Sequence, residues 1–221
     1  MKRATLHSPE GLWLVDKPVG ISSFGVVARL RRLTGIRKVG HAGTLDPLAS
    51  GLMLVLAGKD FTRQADTLLK LDKSYFVEIK LGETSTTDDM EGDKLTISDR
   101  KPTLQEIKTA ITELTGEIIQ TPPIFSAIKV GGKRAYKMAR SGQTPEMPAR
   151  EVTVGGWHDI EYQYPYVRAT IDVSSGTYIR SLARSLGDAV GTGGYITALR
   201  RLTVGSYLLE DAVALDKLTD I

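Results

Sequence analysis

The sequence predicts an α+β fold built on a mixed, largely antiparallel sheet flanked by helices. Three observations lead there. Short apolar runs bounded by glycine and proline read as strands, and separate segments carry apolar residues at helical spacing. The two kinds do not alternate in the regular βαβ series that a doubly wound parallel sheet requires.

Leu12-Trp13-Leu14-Val15 reads as a buried strand that Lys17-Pro18-Val19-Gly20 breaks. Ser22 or Ser23 then caps a helix with Val26, Val27, Leu30 and Leu33 on one face, and Gly35 closes it. Residues 36–50 are polar and turn-forming without a period, hence a loop, and Leu52–Leu56 returns as a core strand. Alternation from Tyr75 to Leu81 predicts a half-buried strand, and Leu104, Ile107, Ile111 and Leu114 predict a helix over 103–115. Strands are expected near 151–161 and 165–174, a helix near 178–190, a strand near 200–208 and a last short helix. No repeat, low-complexity tract or Gly/Ser linker marks a second domain, so residues 1–221 are expected to form one, with 122–150 as an insertion.

Composition limits the chemistry. With 221 residues, 41% apolar and 25% charged, the chain can bury a substantial core. It has no cysteine, which excludes thiol nucleophiles, disulfides and thiolate metal sites. The basic start Met1–Pro9 has no apolar run behind it and no stretch reaches membrane-span length, so a cytoplasmic protein is expected. Net charge is +3, yet Lys129, Lys133, Arg134, Lys137, Arg140 and Arg150 face a single acid, Glu146, between Pro122 and Arg150. Such a patch suits nucleic-acid phosphates, although a solvated helix face is the default for any charge run.

Several familiar signatures fail on the physics they need. Gly131-Gly132-Lys133-Arg134 lacks the earlier glycine and the hydroxyl of a phosphate loop, and Ser126-Ala127-Ile128-Lys129 lacks the partner motifs of an acyl-transfer site. The acidic run Asp88–Asp93 would need ligands where Thr87 and Ser98 stand, so it reads as a solvated loop rather than a calcium site. His7, His41 and His158 are too far apart to suggest a metal cluster. What remains is the loop from Gly40 to Gly51, in which Pro47 biases Asp46 toward an extended conformation. By residue type alone this is a turn.

That loop, His41-Ala42-Gly43-Thr44-Leu45-Asp46-Pro47, closely resembles the catalytic motif of the bacterial tRNA pseudouridine 55 synthases, and other segments follow in the family's order. Asp16-Lys17-Pro18-x-Gly20-x-Ser22-Ser23 resembles the opening motif and Asp72-Lys73-x-Tyr75 the second. Pro122-Pro123-x-x-Ser126-Ala127-x-Lys129, Ser174–Leu182 and Leu199-Arg200-Arg201-x-x-Val204-Gly205 complete the series. The likeness spans about residues 11 to 215, and ordered motifs over that length are far more specific than any one of them.

The resemblance implies the pseudouridine synthase fold and conversion of uridine to pseudouridine in the T stem-loop of tRNA, without cofactor or metal, by a cytoplasmic monomer. It makes Asp46 the catalytic carboxylate, Arg180 its partner and Tyr75 the aromatic that packs on the target base. Tyr178 and Leu199 would line the uracil pocket, His41 would sit beside the flipped nucleotide, and Lys17 would help build the site. Arg37, Lys38, Lys129, Lys133, Arg134, Lys137 and Arg140 would grip RNA, the 122–150 segment being a mobile element that closes over the stem-loop, with Gly131-Gly132 and Ser141-Gly142 suited to hinge it. The chain departs from the family pattern by ending after Leu215 without room for the usual C-terminal RNA-binding domain, which argues against the guide-RNA relatives. By residue type alone, Arg180 would be a surface charge. Rival readings are an RNA-folding chaperone with relic residues and an enzyme of the same kind acting on a different RNA.

Overall fold

A computed structural model describes residues 9–126 and 128–218. The basic start, including His7, and Ala127 of the third motif lie outside them. In chain order the elements begin β1 (Gly11–Lys17), α1 (Ser23–Thr34), β2 (Val39–His41), β3 (Ser50–Ala57), α2 (Lys59–Thr62), α3 (Ala65–Leu69) and β4 (Lys73–Leu81). Next come β5 (Glu83–Ser85), β6 (Lys94–Thr96), α4 (Leu104–Glu113), β7 (Gly116–Gln120), β8 (Lys129–Val130), β9 (Lys133–Arg134) and α5 (Ala135–Arg140). The rest are β10 (Arg150–Gln163), β11 (Tyr166–Val173), α6 (Ile179–Ala189), β12 (Gly194–Val204), β13 (Tyr207–Leu208) and β14 (Val213–Ala214). Two compact units result: residues 1–75 with 199–221, and residues 76–198.

In the first unit β1 and β3 pair antiparallel, Gly11 opposite Ala57 through Lys17 opposite Gly51. Parallel β14 extends the β1 edge. The unbroken apolar run of β3 is explained by its two covered faces. Met53 and Val55 pack with Trp13, Val15 and the Val26, Val27 and Leu30 face of α1, whereas Leu52, Leu54 and Leu56 pack with Ala42, Leu68 and Val204. Ser22 is the helix cap, its side chain accepting from the Gly25 N–H, and Gly35 ends α1 in the left-handed region at φ 69°.

In the second unit β10 pairs antiparallel with both β11 and β7. Thr103 and Glu106 form a reciprocal capping box that starts α4, whose Ile107, Ala110 and Ile111 are buried beside α6. Hairpin β8–β9 turns at Gly131 and Gly132, both at positive φ, and α5 follows.

The mixed, mostly antiparallel α+β architecture matches expectation, with three local differences. Val39–His41, read as loop, is strand β2, because its backbone groups find an unoccupied stretch of the β3 edge. The strand expected at 200–208 begins at Gly194 and breaks at Gly205. The final helix is instead two short 3-10 turns, at Leu209–Asp211 and Leu215–Lys217, too brief to lay down a helical stripe.

Candidate active site

The expected site residues divide between the units. The first holds Asp46, on the loop between β2 and β3. Residues on both sides of this carboxylate are tied to the Asp16–Ser23 segment. Ser23 Oγ accepts from the Leu45 N–H at 2.8 Å and donates to the Leu45 carbonyl at 2.9 Å, while the Gly20 N–H donates to the Pro47 carbonyl at 2.8 Å. Leu45 and Ala49 are buried and Asp46 is half-buried, so the loop has an apolar underside. A turn inside it is closed by the Ala49 N–H donating to the Asp46 carbonyl at 3.0 Å. The opening motif is therefore the seat of the carboxylate loop.

Lys17 is fully buried at the end of β1, and its ammonium donates to the carbonyls of Pro18 at 2.9 Å and Ile21 at 2.7 Å. Burial lowers its pKa to about 8 against the opposing pull of Asp46, with Arg201 lowering it further. Its observed partners are backbone groups of the seat. His41 ends β2 half-buried, with Nδ1 enclosed and unpartnered. Burial and then Arg201 lower its pKa below the ordinary imidazole value, favouring the neutral ring.

Tyr75 lies on β4 only 8% exposed, and Leu199 is half-buried on β12. Lys73, two residues before Tyr75, is buried with its ammonium on the carbonyls of Leu69, at 2.9 Å, and Leu71. Burial lowers its pKa to about 8, Arg201 adding to the effect and Asp72 opposing it. Arg37 and Lys38 are exposed before β2.

The second unit holds Arg180 and Tyr178. Arg180 is 5% exposed on α6, which corrects the surface-charge alternative. Its guanidinium donates to the carbonyls of Thr87 at 3.1 Å and Phe125 at 2.9 Å and meets Asp89 Oδ2 at 3.5 Å. One turn along, Arg184 pairs with Asp88. Asp88 and Asp89 are 9% and 3% exposed, so the run read as a solvated loop is in part buried. Burial raises the Asp88 pKa while Arg184 and Arg180 oppose it. Tyr178 is seated by a two-way bond with the Gln120 amide, and Arg150 lies over its ring at 4.9 Å.

Lys129, Lys133, Arg134, Lys137 and Arg140 are all exposed on β8, β9 and α5, and the first four line one concavity with Ser141 and Gln143. Of the residues expected to suit hinge motion, Gly131-Gly132 forms the hairpin tip inside the insertion and Ser141-Gly142 follows α5. Among the described residues no group of three or more His, Asp or Glu is arranged to hold a metal, and no helix is long and apolar enough to cross a membrane.

Residues 31–179 match the family model described as TruB family pseudouridylate synthase (N terminal domain), and residues 180–221 match the tRNA pseudouridylate synthase B C-terminal domain. Proteins described as tRNA pseudouridine synthase B are similar over nearly the whole chain. That of Corynebacterium efficiens is 49% identical over 216 residues, 95% of this chain and 72% of its own length. Those of Mycobacterium avium and Thermobifida fusca are 47% and 48% identical, covering 96% and 95% of this chain and 70% and 74% of theirs. Among solved structures, a Cbf5-Nop10-Gar1 complex matches with TM-score 0.73 at 28% identity, over 97% of this chain and 55% of that one. An H/ACA RNP bound to a substrate RNA containing 2'-deoxyuridine matches with TM-score 0.71 at 26% identity, over 97% of this chain and 54% of that one.

Proposed function

The chain belongs to the TruB family of pseudouridylate synthases, and on that premise we propose that it isomerises uridine to pseudouridine in tRNA, at position 55 of the T loop, with Asp46 as the reacting carboxylate. The observation that carries the assignment is the double anchoring of the loop at Leu45 and Pro47, which holds the residue between them in a defined place.

The reaction breaks the bond from uracil N1 to ribose C1′, turns the base and rebuilds the link through C5. The proton lost from C5 is balanced by one gained at N1, so nothing is oxidised and no group enters or leaves. An ionised carboxylate serves such chemistry as nucleophile or base. Arg180 is assigned the countercharge that keeps Asp46 ionised, a role that rests on the order of the motifs. Tyr178 and Leu199 are assigned to the uracil pocket, and neutral His41 to the flank of the flipped nucleotide.

Lys17 is assigned to building the site, its ammonium holding the backbone of the seat under the carboxylate loop. Extruding the base costs a few kcal/mol, which a stacking platform offsets. Tyr75, on β4, is the assigned platform. Arg37, Lys38 and the basic concavity of the insertion supply phosphate contacts. The reading needs one chain, no cofactor and a cytoplasmic setting, where tRNA is modified.

The test is incubation with unmodified tRNA followed by mapping of pseudouridine. Product at position 55, lost in Asp46→Asn with RNA binding kept, is expected. No product at any uridine would overturn the reading, and product only elsewhere would replace the target while leaving the chemistry.

A further inference from the structure

One edge of β3 is paired with β1 along its length. The opposite edge is shared: β12 pairs with it at Ser50 and Gly51, through Arg200 and Arg201, and β2 from Val55 to Ala57. Between these partners the ladder is open, and the carbonyls of Leu52 and Leu54 would go unmet in a buried place. The Ala42 N–H donates to the Leu54 carbonyl at 3.0 Å, one bond beyond the end of β2. Arg201 takes the other, Nε donating to the Leu52 carbonyl at 2.6 Å. Its outer nitrogen then reaches 3.2 Å to the carbonyl of Gly43, where the loop leaves the sheet.

The guanidinium is 1% exposed, a costly place for a charge, and an apolar side chain would fill the volume without that desolvation. What such a side chain could not do is hold Leu52 and Gly43 together. At the far end of the same loop, Arg200 donates to Ser50 Oγ at 3.2 Å and pairs with Asp16 at 2.8 Å. Two consecutive residues of one strand thus grip the start and the finish of the segment that carries Asp46. The close approach is possible because Gly51 has no side chain: a Cβ there would lie 2.3 Å from the Arg201 carbonyl oxygen.

We propose that Arg201, with Arg200 as its counterpart, is a positioning residue for the reaction, clamping both ends of the 42–49 loop so that the Asp46 carboxylate is presented in one place. The inference rests on Asp46 being the reacting carboxylate.

The experiment compares single-turnover rate, tRNA dissociation constant and melting temperature in the wild type, Arg201→Met, Arg201→Lys and Gly43→Ala. Misplacing a reacting group by about 1 Å costs on the order of 100-fold in rate. Arg201→Met should therefore lose about 100-fold in rate with tRNA affinity within about threefold of wild type, and Arg201→Lys, which keeps the charge but not the two-carbonyl fork, should fall between. A folded Arg201→Met at wild-type rate would overturn the proposal, as would equal losses of rate and affinity, which would make the residue an RNA ligand. Should Arg201→Met fail to fold, Gly43→Ala carries the test. Its φ is +108° and the added Cβ would sit 3.3 Å from Arg201 Nη1, so one methyl group crowds the guanidinium whose Nη2 holds the Gly43 carbonyl. The same split is expected there, and a wild-type rate overturns the proposal again. An inactive wild type would instead remove the premise about Asp46, a distinguishable failure.

Discussion

Replacing Ser23 by alanine removes one hydroxyl and orphans two backbone groups, because Ser23 Oγ both accepts from the Leu45 N–H and donates to the Leu45 carbonyl across 22 residues of sequence. Ser23 is 4% and Leu45 3% exposed, so solvent does not readily replace the lost partners. A buried polar group left unsatisfied costs about 1–3 kcal/mol, which puts Ser23→Ala at about 2–4 kcal/mol when the loop relaxes in part. For a chain of this size that is a fall of roughly 4–15 °C in melting temperature.

The neighbouring Ser22 is the control. It caps α1 through the Gly25 N–H in an exposed setting, so Ser22→Ala should cost about 1 kcal/mol. Because Leu45 adjoins Asp46, Ser23→Ala should also slow turnover at least tenfold, an order-of-magnitude expectation for a shifted reacting group. Ser22→Ala should stay within about twofold of wild type, its bond being remote from the loop. Circular dichroism melts and pseudouridine formation under saturating tRNA measure both. A Ser23→Ala protein melting within about 1 °C of wild type, or a Ser22→Ala protein equally slowed, would refute the idea that this hydroxyl seats the loop.

Other outcomes follow from the same geometry. Lys17 and Lys73 have pKa values lowered by burial to about 8, so between that value and the ordinary 10.5 the unfolded chain binds more protons than the folded one. Stability should consequently rise with pH from about 8 to 9.5, below the range where tyrosines ionise, and urea titrations of Lys73→Met should show a shallower rise. For His41, whose pKa is lowered, the same relation makes stability fall as pH drops below about 6.5 toward the folded value, and His41→Asn should lose that part of the acid sensitivity. Lys133→Ala with Arg134→Ala should weaken tRNA binding and reduce the slope of log affinity against log salt by about 1.4–1.8; an unchanged slope would remove this hairpin from the RNA interface. Gly51→Ala places a methyl group against Arg201 backbone at φ +103°, and little soluble folded protein is expected on expression.

Local signals were read from sequence alone: the apolar face of α1, its cap and closing glycine, the alternation of β4 and the apolar core run of β3 all depend on residues a few positions apart. The ordered motifs pointed to the family that the family models and relatives then showed. Sequence could name Asp46 but, by residue type alone, left it a turn residue. Only the tertiary structure decided what the motifs around it are for. Ser23 meets Leu45, and Arg201 meets Leu52 and Gly43 across 149 and 158 residues; no period or spacing encodes such pairs. The same holds for Asp88 and Asp89, whose charges look solvated until the arginines of α6 are seen to cover them. A lone charge reads as surface because burial without a partner is costly; its partner, distant in sequence, is supplied by the fold.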